Sequence, residues 1–147
     1  MQVKFKKLHT DAVIPSYAKP GDAGLDLVAT SMFINEPDGY VEFGTGLAIE
    51  IPENHVGLIF PRSSISNKDV TLSNSVGVVD SQYRGEIKFR FKPTAAGFSG
   101  KFELRNYDIG DKVGQLIIMP YPKIEPVEVD ELSDTERGSG GFGSTGR

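Results

Sequence analysis

The chain has 147 residues, which is enough for one domain with a single core. Its 16 basic and 20 acidic residues give a net charge of −4, so the chain lacks the basic character of proteins that bind nucleic-acid polymers. The absence of cysteine excludes a disulfide framework, a thiolate nucleophile and cysteine-ligated metal sites, and no apolar run approaches the ~20 residues of a membrane span.

Apolar and polar residues alternate with a period of two along most of the chain, the pattern of strands with one solvated face. In EIKFRFK, Ile87, Phe89 and Phe91 are expected to face the core and the basic residues between them the solvent. Similar runs occur at 3–5, 41–43, 47–51 and 56–60, and in LDLVAT, DVTL, KFELRNY, VGQLIIM and EPVEV. No long window has helical periodicity. The pattern predicts an all-β antiparallel sandwich, jelly roll or barrel.

The first polar stretch, PGDAGLDLVAT, places Asp22 in a turn and Asp26 inside a strand-like run. Turn chemistry explains Asp22, but strands are depleted in aspartate. Asp26 could therefore hold a magnesium ion through water, because Mg²⁺ usually keeps several waters and binds substrate phosphates.

The second stretch, FPRSSISNK, follows a strand and is predicted to open a short helical turn that Ser63 or Ser64 could cap. Arg62 and these two serines would present a guanidinium and two hydroxyls beside unpaired N–H groups, a combination that suits phosphate oxygens. An ordinary capped turn with a surface arginine explains the same residues.

The third stretch, NSVGVVDSQYRGEIKF, contains two apolar runs joined by DSQYRG and predicts a hairpin, with Asp80 where its first strand enters the turn. Asp80 could be a turn former, or it could be the carboxylate at the rim of a pocket that also holds Asn74 and Tyr83. The backbone of such a hairpin can pair with a base. Further along, Gln115 opens an apolar run and could mark the end of a strand.

The chain changes character after Met119, with six acidic and no basic residues from Glu125 to Glu136. Residues 120–135 predict an extended arm that could reach on the order of 50 Å and cross onto a neighbouring subunit. The terminal ERGSGGFGSTGR could be a disordered linker. Arginine, phenylalanine and hydroxyl residues among its glycines are also found in nucleotide lids.

Taken in order, AGLDL, PRSS, GVVDSQYRG, DKVGQLI and RGSGGFGSTG resemble the five motifs of the trimeric dUTP pyrophosphatase (dUTPase) family, over a span from about Ala23 to Gly146. The resemblance implies a homotrimeric β jelly roll with three sites at subunit interfaces. It implies a catalytic domain over 1–119, a linker arm over 120–136, and a lid over 137–147 that completes a neighbouring subunit's site. The implied reaction is hydrolysis of dUTP to dUMP and pyrophosphate, which limits uracil in DNA and supplies dUMP for thymidylate synthesis.

By this resemblance Asp80 is the catalytic residue that activates the water attacking the α-phosphorus. Tyr83 packs under the deoxyribose and excludes a 2′-hydroxyl, and the tight hairpin has no room for the methyl group of thymine. Asp26 contacts the water shell of Mg²⁺, the expected cofactor. The residues expected to contact the uracil or lie near the substrate are Asn74, Gly77, Val78, Val79 and Lys88. Those expected to hold or cover the phosphates and base are Arg62, Ser63, Ser64, Gln115, Arg137, Phe142, Gly143, Ser144 and Thr145.

One departure from the family pattern is Lys112, where the fourth motif commonly has arginine, and lysine cannot replace a bidentate arginine. Two other functions stay open. A deoxycytidine triphosphate deaminase of the same fold is expected to lack this hairpin and tail, and a trimeric nucleotide-sensing module would bind without turnover. We expect dUTP and other copies of the chain as partners, no nucleic acid or membrane, and a cytoplasmic location, or a nuclear or virus-infected one.

Overall fold

The structure, a computed structural model, describes residues 1–94 and 107–141. These residues form nine β-strands and one short 3₁₀ helix, which confirms the predicted all-β class. The strands are β1 (Lys4–Lys7), β2 (Leu25–Val28), β3 (Ser31–Asn35), β4 (Tyr40–Glu50), β5 (His55–Phe60), β6 (Val70–Leu72), β7 (Gly77–Val79), β8 (Glu86–Pro93) and β9 (Lys112–Pro120), and the 3₁₀ helix is Ser63–Asn67. Most of the predicted strand KFELRNY lies outside the described residues.

The strands form two antiparallel sheets, as in a jelly roll. The first sheet has the order β1-β4-β8-β6, with β3 also paired to β4, and the second has the order β2-β9-β5-β7. The core is built from the facing sides of both sheets. Phe43, Phe89 and Phe91 of the first sheet and Leu27 and Leu116 of the second are almost completely buried. Burial of these large side chains is the main contribution to the stability of the fold.

Alternation along β8 is confirmed, because Ile87, Phe89 and Phe91 are buried and the basic residues between them are exposed. Alternation alone would place the larger residues of β5 in the core, but they do not face it. Gly57 and Ile59 point into the core, whereas the larger alternate residues of that strand are only half-buried. A strand periodicity of two does not specify which of its two faces is covered, because that depends on the neighbouring sheet.

These half-buried residues belong to an apolar surface on the outside of the second sheet. Strand register places them beside apolar residues of β7 and β9, with Leu58 opposite Val78 and Ile117, and Val56 opposite Met119. Val78 is 66% exposed and Met119 is 47% exposed. We call Val56, Leu58, Val78, Ile117 and Met119 the outer face.

Two predicted elements are wrong. β7 pairs with β5, whereas β8 pairs with β4 and β6, so DSQYRG connects the two sheets instead of closing a two-stranded hairpin.

EPVEV is not a strand, since residues 121–130 are exposed and have no ladder in the described part of the chain. An alternating sequence forms a strand only where its backbone groups have a partner to hydrogen-bond.

The predicted helical turn is confirmed as the 3₁₀ helix, but its cap differs. The N-cap residue is Arg62, and its side chain makes no capping hydrogen bond. The hydroxyl of Ser66 instead donates to the carbonyl of Ser63 at 2.9 Å. Ser63 and Ser64 lie within the helix and so do not serve as its cap.

Candidate functional site

One cavity of about 490 Å³, the first cavity, is lined by five of the nine residues of the third motif, where β7 and the turn before it face β8. Asp80 is exposed at its edge, directly after the last residue of β7. The predicted site residues that line this cavity are Asn74, Gly77, Val78, Val79, Asp80, Tyr83 and Lys88. The structure therefore brings together residues that the sequence places in two strands and two turns.

A tight turn before β7 places Asn74 in the first cavity. The N–H of Ser75 donates to the carbonyl of Leu72 at 3.1 Å, and the N–H of Val76 donates to the carbonyl of Asn74 at 2.6 Å. Ser75 has a φ of 60°, in the left-handed region that non-glycine residues seldom occupy. The short turn leaves the Asn74 amide at the cavity and directs the chain into β7.

The turn after β7 is held by its own hydrogen bonds. The N–H of Tyr83 donates to the carbonyl of Asp80 at 3.0 Å. Nη1 of Arg84 donates to the carbonyls of Ser81 at 2.7 Å and Tyr83 at 2.9 Å. The hydroxyl of Tyr83 donates to the carbonyl of Glu86 at 3.0 Å. These contacts fix the backbone between Asp80 and the Tyr83 ring, so both side chains are positioned together.

Sequence reasoning missed an acidic residue in the first cavity. Glu42 of β4 is only 11% exposed and accepts from Nζ of Lys88 at 2.8 Å and from Nε of Arg90 at 2.7 Å. Burial would raise the pKa of Glu42, but the hydrogen bonds and charges of the two basic residues outweigh it and hold that pKa below its ordinary value. The bond to Glu42 raises the pKa of Lys88 and keeps the ammonium charged. Alternation in VEFG places Glu42 outward, but only the β4–β8 register shows its partners.

The first, second and fourth motifs meet at a second cavity, of about 320 Å³. The predicted site residues that line it are Asp26, Arg62, Ser63 and Gln115, joined by residues 22–24 and Ile117. Asp26 lies within β2 and Gln115 within β9, and the strand register places them opposite each other. Gln115 is thus inside a strand, not at its end.

Asp26 is the centre of charge in the second cavity. One carboxylate oxygen accepts from Nε of Arg62 and the other from Nζ of Lys112, each at 2.9 Å. Lys112, at the position where the resemblance leads us to expect arginine, thus makes a single charged contact to Asp26. Nε2 of Gln115 donates to the carbonyl of Pro61 at 3.1 Å, which ties β9 to the start of the 3₁₀ helix.

Gly24, directly before β2, lies against the side chain of Gln115 in β9. A β-carbon there would overlap the amide oxygen of Gln115. The glycine of AGLDL therefore leaves space for a side chain of the fourth motif. Its presence before Asp26 has a packing reason that the sequence alone did not reveal.

Ser64 lines neither cavity in the described part of the chain. It is half-buried and faces Tyr107, a buried tyrosine that sequence reasoning did not select. Burial raises the pKa of the Tyr107 hydroxyl, while interactions with Ser64 and the charge of Arg62 oppose that rise. This contact connects the 3₁₀ helix to the core.

Part of the tail is described. Arg137 is exposed, and its Nε donates to the carbonyl of Gly140 at 3.1 Å. Phe142, Gly143, Ser144 and Thr145 lie outside the described residues, so their predicted contacts stay predictions. Within 1–94 and 107–141, no three acidic or histidine side chains are grouped closely enough to hold a metal ion by themselves, and no helix is long and apolar enough to cross a bilayer.

Comparison with known proteins places these motifs in a family. A sequence profile described as dUTPase matches residues 10–146. The deoxyuridine 5′-triphosphate nucleotidohydrolase of Hydrogenobaculum sp. is 42% identical, with 99% of each chain covered. That of Nautilia profundicola is 41% identical over both full lengths.

Solved structures give the same result. A mutant dUTPase of Staphylococcus bacteriophage 80alpha with dUpNHpp is similar at a TM-score of 0.82 and 27% identity, covering 99% of both chains. A mutant dUTPase from phage phi11 of S. aureus, which coordinates a structural Mg(II) ion, has a TM-score of 0.73 and 26% identity, covering 89% of this chain and 98% of that one. The chain belongs to the dUTPase family.

Proposed function

We infer that this chain hydrolyses dUTP to dUMP and pyrophosphate. The observation that carries the inference is the first cavity, which holds the carboxylate of Asp80 beside Asn74 and Tyr83 in a chain that matches the dUTPase family over residues 10–146. A turn former would need no cavity beside it. The relatives described above share the name deoxyuridine 5′-triphosphate nucleotidohydrolase.

In the reaction, the Asp80 carboxylate accepts a hydrogen bond from a water molecule and takes its proton as the oxygen attacks the α-phosphorus. The bond from that phosphorus to the bridging oxygen breaks, and pyrophosphate leaves. Positioning and charge neutralisation are what such a transfer most needs from the protein. The hydrogen-bonded turn from Asp80 to Glu86 supports this role because it fixes the backbone that carries the carboxylate.

Recognition of the nucleoside is assigned to the rest of the first cavity. The Asn74 amide and the backbone of Gly77, Val78 and Val79 can pair with the uracil edge, since both offer donors and acceptors. Tyr83 packs against the sugar and excludes a 2′-hydroxyl. Lys88, held charged by Glu42, adds positive charge beside the substrate.

The second cavity is assigned to the triphosphate. Arg62 and Ser63 line it with Gln115, and together they offer a guanidinium, a hydroxyl and an amide as donors. Ser64 shares the same helical turn and would contact phosphate by its backbone or after a side-chain rotation. Arginine is well suited to bidentate binding of phosphate oxygens.

Mg²⁺ fits this donor set as a hydrated ion. Both Asp26 oxygens already accept from a basic side chain, which leaves their remaining lone pairs for water. Mg²⁺ would be held by the substrate phosphates and, through its waters, by Asp26. Its contribution when bound is positive charge beside the phosphate chain.

We propose that the working form is a homotrimer whose sites combine cavities from different copies. The outer face is apolar and partly exposed on one chain, and it adjoins the second cavity through Ile117 and the first through Val78. A second copy packed on the outer face could bring its first cavity to that position. The two cavities have no lining residue in common, as expected if they are two halves of a shared site.

Residues 1–119 are then the catalytic jelly roll, 120–136 the linker arm and 137–147 the lid of a neighbouring site. The exposure of residues 121–139 supports this division, because nothing in the described part of the same chain covers them. Arg137 and the phenylalanine, glycine, serine and threonine of 142–145 would close over phosphates and base.

Substrate selectivity tests the proposal. Pyrophosphate release is measured with dUTP, dCTP, dTTP and UTP, each with Mg²⁺ and with a chelator. We expect kcat/KM for dUTP to exceed the others by roughly 100-fold or more. The pocket excludes the 2′-hydroxyl of UTP and the methyl group of dTTP, and the paired edge distinguishes uracil from cytosine. The chelator should lower the rate. Hydrolysis of UTP and dTTP as fast as hydrolysis of dUTP would contradict the pocket assignment. Release of ammonia from dCTP would indicate the deaminase, a function that the comparisons do not support.

A further inference from the structure

The ring of Tyr83 lies directly over Gly85, two residues further along the same turn. A β-carbon built on Gly85 would overlap the hydroxyl end of that ring and lie 2.5 Å from Cζ and 2.9 Å from Cε2. The Tyr83 hydroxyl also donates to the carbonyl of Glu86 at 3.0 Å. The hydroxyl end of the ring therefore fills the space that a side chain at position 85 would occupy, and its bond to Glu86 holds it there.

Space, and not backbone conformation, requires glycine at this position. The glycines with a left-handed φ in the described residues are Gly21, Gly39, Gly46, Gly110 and Gly138, and Gly85 is not one of them. Alanine can adopt its backbone conformation. The atoms that a methyl group would meet belong to one side chain, which can rotate. An alanine at 85 should consequently fold and move the Tyr83 ring.

The direction of that movement follows from the position of the cavity. Tyr83 lines the first cavity and Gly85 does not, so we take a ring displaced from Gly85 to move toward the cavity. A methyl group behind the ring would push it into the cavity. This narrows the part of the cavity beside Asp80 in which a sugar would lie.

We propose that Gly85 is a specificity-determining position that sets how far the Tyr83 ring extends toward the substrate sugar. This inference rests on the proposed dUTPase function, in which that ring packs against the deoxyribose. Gly85 is a positioning residue, because it touches Tyr83 and not the substrate. The glycine keeps the cavity wide enough for deoxyribose, and the hydroxyl bond to Glu86 keeps the ring from leaving its place.

The first test is G85A, assayed with dUTP and UTP. We expect kcat/KM for dUTP to fall about tenfold or more, mainly through a higher KM, because small displacements of a positioning group are costly. The kcat/KM of G85A for UTP should not exceed that of wild type. The matched control is Q82A, an exposed change in the same turn, which should leave the kinetics unchanged. Unchanged kinetics for G85A, with wild-type protein active on dUTP, would overturn this inference alone.

The second test is the same change in a Y83A background. Y83A should bring the rates with dUTP and UTP closer together, and adding G85A should then have less than about a twofold effect because no ring remains to be displaced. An equal loss in both backgrounds would mean that Gly85 acts on the fold, and would overturn the inference. Thermal unfolding of each variant separates loss of structure from loss of binding. Wild-type protein without activity on dUTP would contradict the proposed function instead.

Discussion

Glu42 joins Lys88 and Arg90 in the first cavity through two charged hydrogen bonds at 2.7 and 2.8 Å. Because its pKa in the fold lies below the ordinary value near 4.5, the ionised carboxylate stabilises the folded chain above about pH 4.5. That contribution is lost as the pH falls through the folded pKa. We therefore predict that E42Q lowers the free energy of unfolding by about 1 to 2 kcal/mol at pH 7.

The measurement is thermal and urea unfolding of wild type and E42Q across the acid range. The difference between them should narrow as the pH falls below about 4.5 and through the lower pKa that Glu42 has in the fold, because the wild-type carboxyl then also becomes neutral. E50Q is the matched control. Glu50 pairs with Lys4 in a solvated ion pair, with side chains 47% and 77% exposed, and its loss should change stability little. If the difference in stability between wild type and E42Q does not change with pH, the charge of Glu42 contributes nothing to stability.

Single residues with unusual chemistry could be predicted from the sequence, but their partners could not. Aspartate is rare within strands, which singles out Asp26, and the structure places it in β2 at the second cavity. A glutamate on the solvated side of a strand is ordinary, so the sequence does not single out Glu42. Its partners are 46 and 48 positions away in the chain, and only strand register decides that contact.

At the scale of elements, alternation located most strands but did not identify their neighbours. The two apolar runs around DSQYRG are both strands, β7 and β8, yet they belong to different sheets. β5 was located correctly, while its larger residues face outward. Both differences have one cause, since local sequence sets strand propensity and long-range packing chooses which edge and which face is paired.

The C-terminal segment is the element whose role is hardest to assign from one chain. Residues 121–139 are exposed, and Ile124, Val127 and Leu132 are each at least 75% exposed. Apolar side chains along an extended segment suit contact with a neighbouring copy. We predict that a chain ending at Glu136 keeps the oligomer and loses most dUTP hydrolysis, because it keeps the arm and lacks the lid.

This truncation is checked by sedimentation velocity together with pyrophosphate release. The matched control for the arm is L132S in the full chain. It should lower the fraction of oligomer, while the oligomers that do form should keep their rate of dUTP hydrolysis. Full activity of the shortened chain would contradict the lid assignment. Loss of the oligomer would instead place residues 137–147 in the interface.

At the scale of the whole molecule, the carboxylate that we propose as catalytic and the arginine that we propose to bind phosphate lie in different cavities. Asp80 lines the first and Arg62 the second. The sequence motifs alone could not show this separation, because order along the chain says nothing about which cavity a side chain faces. Sites shared between copies would explain why each cavity by itself contains only part of the required chemistry.

Subunit mixing decides between shared and single-chain sites. D80N and R62A are each expected to be inactive as homo-oligomers. Co-refolding them at equal amounts should restore up to about one quarter of wild-type activity, because about one site in four then combines an intact first cavity from one variant with an intact second cavity from the other. The matched control mixes D80N with N74A, which both damage the first cavity, and it should restore nothing. No recovery in the D80N and R62A mixture, with mixed oligomers present, would place both cavities of each working site in a single chain.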